Sequence, residues 1–158
     1  MGEAHRASGQ SRRDSGAAIE RRSEIPSVMT EGVKLVEAVM RDVEDRGFDE
    51  TARFAIRLAL DEAIANAIRH GNESNPAKMV QVEYKVGSDS FRISICDDGL
   101  GFKPDDVPDP TLDENLERPC GRGVMLMRAY MDDIAYNARG NCVTMVKSMP
   151  KEAAANNE

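Results

Sequence analysis

Glu62 and Asn66 stand four residues apart in the run Asp61-Glu62-Ala63-Ile64-Ala65-Asn66-Ala67-Ile68-Arg69-His70. On a helix that spacing stacks them on one face, and His70 extends the row by another turn. A carboxamide oxygen is a hard ligand suited to Mg²⁺. A carboxylate one turn away can orient and deprotonate a water or a hydroxyl. The same row also describes the solvated face of an amphipathic helix. A second group, Asp97-Asp98-Gly99-Leu100-Gly101-Phe102, follows an apolar run. Its glycines let the backbone leave a strand sharply and approach a flat ligand. Asp97 there could accept a hydrogen bond from an exocyclic amine such as that of adenine, and burying it without such a partner would be costly. The ordinary alternative is a tight polar turn. The third group is Gly121-Arg122-Gly123-Val124-Met125-Leu126-Met127. Glycines at a helix start expose N–H groups and the positive end of the helix dipole to phosphate, and Arg122 adds a charged donor. Simple loop and cap glycines would look the same. The spacing is neither the Walker A pattern nor a full G-x-G-x-x-G.

The elements around these groups are legible from periodicity. Ile19 to Ile25 reads as an edge strand, and Pro26-Ser27 offers a helix start. Val28, Val33, Val36, Val39, Met40 and Val43 then follow a helical period to about Asp45, where Gly47 breaks it. Asp49 is placed to cap a second helix that runs to about His70, with Phe54, Leu58, Ala59, Ala63, Ala67 and Ile68 as its buried stripe. Met79 to Val86 and Phe91 to Cys96 alternate as two strands of a hairpin. Residues 103–119 carry four prolines and six acidic residues and read as a long loop. Val124 to Met131 predicts a helix opened by Gly121-Arg122-Gly123. Ile134 to Asn137 and Cys142 to Met149 predict a last strand pair. Grouped helices and hairpins indicate a two-layer α/β sandwich with a mixed, mostly antiparallel sheet. Residues 1–17 and 151–158 read as polar tails around one domain at 18–150.

Composition narrows the function classes. The chain has 158 residues with 41% hydrophobic and 31% charged side chains, which suits one globular domain. A net charge of −7 argues against nucleic acid as the main partner. No apolar run approaches the ~18 residues of a membrane span, and no signal-like h-region opens the chain, so a cytoplasmic protein is expected. Three separated cysteines, Cys96, Cys120 and Cys142, then read as reduced structural thiols. Two histidines are too few for a multi-histidine zinc site.

Taken in order, DEAIANAIRHGN, DDGLGF and GRGVMLM resemble the N box and two glycine boxes of the GHKL (Bergerat-fold) ATPase superfamily. Within it the pattern is similar to the bacterial anti-sigma factor serine/threonine kinases, the RsbW-like group, over residues 20–150. The resemblance implies ATP and Mg²⁺ as cofactors. It makes Glu62 the general base, Asn66 the Mg²⁺ ligand and Asp97 the reader of the adenine amine, with Gly101 behind the base and Gly99 also among the nucleotide-binding residues. Gly121, Arg122, Gly123 and Val124 would wrap the triphosphate, Arg122 also stabilising transferred charge, and residues 103–119 would be the ATP lid. His70 would shape the site. The family's Gly-Thr pair has no direct counterpart in Gly140-Asn141-Cys142-Val143-Thr144, so Asn141 or Cys142 would take that contact and Thr144 is not assigned. The acidic lid would repel phosphate unless it faces away.

The implied activity is phosphoryl transfer from ATP to a serine or threonine of a STAS-domain antagonist, coupled to sequestration of a sigma factor, with a homodimer as the usual assembly. Phosphorylation would weaken the antagonist's hold through added negative charge. Two related readings stay open: an ATP-binding anti-sigma module that transfers nothing, and a switch kinase acting on another STAS protein. A detached histidine-kinase catalytic domain fits less well, because no helix pair with a phosphorylatable histidine is present.

Overall fold

The computed structural model describes residues 17–100 and 119–149, with residues 119–123 described by backbone alone. Residues 103–118 of the expected lid and Gly101 therefore lie outside the described residues, as does the side chain of Arg122.

Five strands form one sheet: β1 (Ile19–Pro26), β2 (Met79–Val86), β3 (Ser90–Cys96), β4 (Asp133–Tyr136) and β5 (Cys142–Ser148), in the spatial order β1-β2-β3-β5-β4. Every pairing is antiparallel, the limiting case of the mostly antiparallel sheet expected. The alternation of β2 buries Val80, Val82, Tyr84 and Val86, and β3 buries Phe91, Ile93 and Ile95 on the same inner face. The outer face carries cross-strand ion pairs, Arg22 with Glu83 and Glu20 with Lys85.

Helices α1 (Met29–Asp45), α2 (Glu50–Ala65) and α3 (Pro119–Tyr130) form the second layer. Leu35, Val36, Val39, Met40 and Val43 of α1 join Ile56, Leu60, Ile64, Val124 and Met127 in the common core. A two-layer α/β sandwich results, as the grouping of elements predicts. Asp49 caps α2, its carboxylate accepting from the Ala52 N–H at 2.8 Å. Gly47 has φ +90°, a conformation that favours glycine after a helix.

Four expectations require correction. Helix α1 starts at Met29 after Val28, without a side-chain cap, because Ser27 is spent elsewhere: its hydroxyl donates to the Lys78 carbonyl at 2.7 Å. The α2 stripe is rotated. Phe54 is 59% exposed and packs edge-on against Tyr130, while Ala52, Ala55, Ile56 and Leu60 are buried. The α2 stretch is apolar on more than one face, so two registers of the helical period compete. Helix α3 begins at Pro119, upstream of the glycines, since proline suits a first helical turn. Finally, Cys96 and Cys142 are not free thiols. They are register partners across β3 and β5 with Cα atoms 4.0 Å apart, and a disulfide joins them.

Candidate functional site

The helix that carries Glu62 and Asn66 changes its winding at Asn66. Residues Asn66–Gly71 form a π-helical segment, closed by hydrogen bonds from Asn72 N–H to the Ala67 carbonyl at 2.9 Å and from Ser74 N–H to the Ile68 carbonyl at 2.7 Å. Such segments appear mostly as single turns at functional sites. Glu62 and Asn66 stay one α-turn apart, and the wider π turn falls between Asn66 and His70. Asn66, Ala67, His70 and Gly71 border a cavity of about 540 Å³, whereas the half-buried Glu62 is not among its lining residues. Glu62 remains joined to Asn66 through one turn of backbone, its carbonyl accepting from the Asn66 N–H.

The opposite wall comes from the ends of β3 and β5. Ile95 and Val143 supply apolar surface, Asp97 and Asn141 polar groups. Asn141 and Asp97 are clamped together: the Asp97 N–H donates to the Asn141 carbonyl at 2.9 Å, and the Asn141 amide donates to the Asp97 carbonyl at 2.8 Å. Of the residues left open for the missing Gly-Thr contact, Asn141 thus borders the cavity. Cys142 is held in the disulfide, and the Thr144 hydroxyl pairs with Ser94 at 2.8 Å on the outer face.

Asp97 sits where two glycines leave room for it. A Cβ on Gly71 would overlap the Asp97 carboxylate, and one on Gly99 would overlap the Gly71 carbonyl. The turn of β3 therefore packs directly on the end of the π segment, a close approach only glycine permits. Gly99 donates its N–H to Asp97 Oδ1 at 2.8 Å. Burial pushes the Asp97 carboxyl above the usual carboxylate range. The Gly99 hydrogen bond opposes this, Asp98 adds to it, and Arg139 and Lys78 offset part of it. A half-buried carboxylate beside apolar walls has the chemistry to accept from a donor such as an aromatic amine.

Lys78, Glu73, Leu100, Tyr136 and Gly140 also line the cavity, as does Val124 from α3. Gly71 and Lys78 were not read as site residues in the sequence, whereas Asn141 was one of the two residues left open for the Gly-Thr contact. Gly71 looked like a helix stop, and nothing local marks it as the seat of a side chain 26 positions later. Among the described residues there is no cluster of three metal-ligating side chains and no helix long and apolar enough to cross a membrane.

Known proteins match this arrangement. The model of the histidine kinase-like ATPase domain covers residues 27–147. Similar curated proteins include the serine-protein kinase RsbW of Staphylococcus aureus strains JH9 and Newman. Each is 28% identical over 109 residues, spanning 64% of this chain and 69% of the relative. Among solved structures, the RsbU and RsbW domains of Rv1364c from Mycobacterium tuberculosis superpose with a TM-score of 0.53 at 14% identity, over 82% of this chain and 32% of that one. This chain thus spans about a third of that protein's length, and the likeness speaks for the fold. With the family model matching most of its length, and residues from all three motifs lining one cavity, the chain belongs to the histidine kinase-like ATPase domain family.

Proposed function

We propose that the protein binds Mg-ATP in this cavity and transfers the γ-phosphate to a serine or threonine of a STAS-domain anti-sigma factor antagonist, sequestering a sigma factor when the antagonist is absent. The observation that carries the ATP reading is Asp97, a half-buried carboxylate seated between Gly71 and Gly99 in an apolar-walled cavity. The similarity to RsbW serine-protein kinases supports the choice of reaction and partners. A homodimer is the assembly proposed with them.

Asp97 accepts the adenine amine, while Ile95, Val143 and Ala67 cover the faces of the base. Asn66 borders the cavity and offers a carboxamide oxygen, a donor that fits Mg²⁺. Such an ion is usually completed by phosphates and water. When bound, the ion supplies neutralisation of phosphate charge. The first turn of α3 leaves the N–H groups of Cys120 and Gly121 without intrahelical partners, and these face the anionic end of the ligand in our reading. Arg122 adds a charged donor to the transferring group. Glu62 takes the hydroxyl proton of the acceptor serine, so its contribution belongs to the transfer step rather than to binding.

Calorimetry of Mg-ATP binding tests the site. The wild type binds, and Asp97→Asn loses about 1.4 kcal/mol or more, a factor of ten in affinity. Wild type that takes up no Mg-ATP ends the reading. Radiolabel transfer to an antagonist tests the reaction, with Glu62→Ala expected to lose turnover by about a hundredfold or more while keeping its ATP affinity. The position of Glu62 outside the cavity lining favours one other reading, ATP binding without transfer. Absence of label on any antagonist under conditions of full ATP occupancy selects it.

A further inference from the structure

Asn72 is completely buried, one of three buried polar residues among those described. Its amide spends all three of its hydrogen bonds on different parts of the chain. Nδ2 donates to the Ser27 hydroxyl at 2.8 Å and to the Met79 carbonyl at 3.0 Å. Oδ1 accepts from the Asp98 N–H at 2.8 Å. The orientation of the amide is fixed, because a carbonyl can only accept and a backbone N–H can only donate. Its backbone is engaged as well: the N–H closes the π segment on Ala67, and the carbonyl accepts from Asn75. One side chain therefore joins the end of the π segment, the start of β2, the approach to α1 and the turn that follows β3. A second link braces the same turn, the Asp98 carboxylate accepting from the Met79 N–H at 3.0 Å.

The third of those bonds falls on the residue after Asp97, and Asn72 itself follows Gly71. The two contacts that define where the Asp97 carboxylate sits, the Gly71 backbone and the Asp97-Asp98-Gly99 turn, are thus both tied to Asn72. We propose that Asn72 is a positioning residue for nucleobase recognition: it fixes the turn that aims Asp97, and so sets the preference for a base bearing an amine. This rests on the reading of Asp97 as the adenine receptor. Asn72 touches no nucleotide in this scheme; it acts through Asp98 and Gly71.

Loss of Asn72 would leave buried donors and acceptors unpaired and lower stability as well, so affinity alone does not test the idea. Discrimination does. Calorimetry with Mg²⁺ would compare ATP with inosine triphosphate, which has an oxygen in place of the amine, for wild type, Asn72→Ala and Tyr84→Phe. The last weakens a hydrogen bond remote from the cavity and controls for lowered stability. The expected result is a preference for ATP in the wild type, a fall in that preference of about tenfold in Asn72→Ala, and no change in Tyr84→Phe. Asn72→Ser, whose hydroxyl is too short to span the three partners, serves in the same way if the alanine variant does not fold. A folded Asn72 variant with the wild-type ratio overturns the inference and leaves the ATP site standing. Wild type that binds both nucleotides equally, or neither, overturns the reading of Asp97 and this inference with it.

Discussion

The proposed role of Asp97 places a carboxylate where the fold itself disfavours its charge. Burial raises the affinity of its carboxyl for a proton in the folded state. A group with a raised folded value binds protons more tightly folded than unfolded, so its ionisation opposes folding as pH rises through the carboxylate range. Asp97→Asn keeps an acceptor for the Gly99 N–H and removes the buried charge. The ligand-free variant should therefore melt above wild type at pH 7, and the gap should close as pH falls through the raised value of Asp97. Thermal melts across that range check it; a variant that melts lower at neutral pH would show that the carboxylate is well compensated without ligand. Gly71 gives a complementary case. Gly71→Ala pushes a methyl into the Asp97 carboxylate, so ATP affinity should fall tenfold or more, and stability by about 1–3 kcal/mol, the usual range for overpacking. In the double variant with Asp97→Ala the clash is gone. Stability should recover there while ATP binding does not.

At the level of elements, β1 is held to the helical layer by a polar junction. Asp42 on α1 is 7% exposed and accepts from Arg21 Nε at 2.7 Å and from the Tyr84 hydroxyl at 2.6 Å. Burial alone would raise the Asp42 carboxyl, but the Arg21 guanidinium and the Tyr84 hydroxyl outweigh it and hold the value below the usual range. The same burial, reinforced by Asp42, pushes the Tyr84 phenol far up. An acid depressed on folding contributes stability above its unfolded value and loses it as pH falls through the folded one. Tyr84→Phe should cost about 1.5–3 kcal/mol near neutrality, the range for hydrogen bonds to charged groups. The cost should shrink in acid, where Asp42 takes up its proton. Urea unfolding at neutral and low pH reads both.

Much of this architecture is legible in the sequence, and the failures have physical causes. The strict alternation of Val80, Val82, Tyr84 and Val86 gives β2 to the residue, because one buried face and one wet face leave only one register. The α2 stretch is apolar on several sides, so its alanines could not tell the inner stripe from Phe54. The motif spacings brought Asp97, Gly99, Asn66 and Val124 to one cavity. They missed Gly71 and Asn72, whose roles are set by partners distant in sequence. The cysteine pair was misread for the same reason. Separation along the chain hid the fact that Cys96 and Cys142 stand opposite each other on adjacent strands.

For the whole molecule, the bond between Cys96 and Cys142 makes a covalent ring of the intervening chain, with a sequence separation of 46. Within that ring lie the acidic proline-rich stretch, α3 and β4. A cut at any one peptide bond inside the ring opens it but frees nothing. Limited proteolysis aimed at residues 103–118 should leave a species that runs as one band without reductant and splits into two when thiol is added. Two bands without reductant would mean the ring is open in solution. Nicked protein that remains one covalent body also offers a direct experiment on residues 103–118, since the chain can be broken there while Cys96 and Cys142 stay fixed on the sheet.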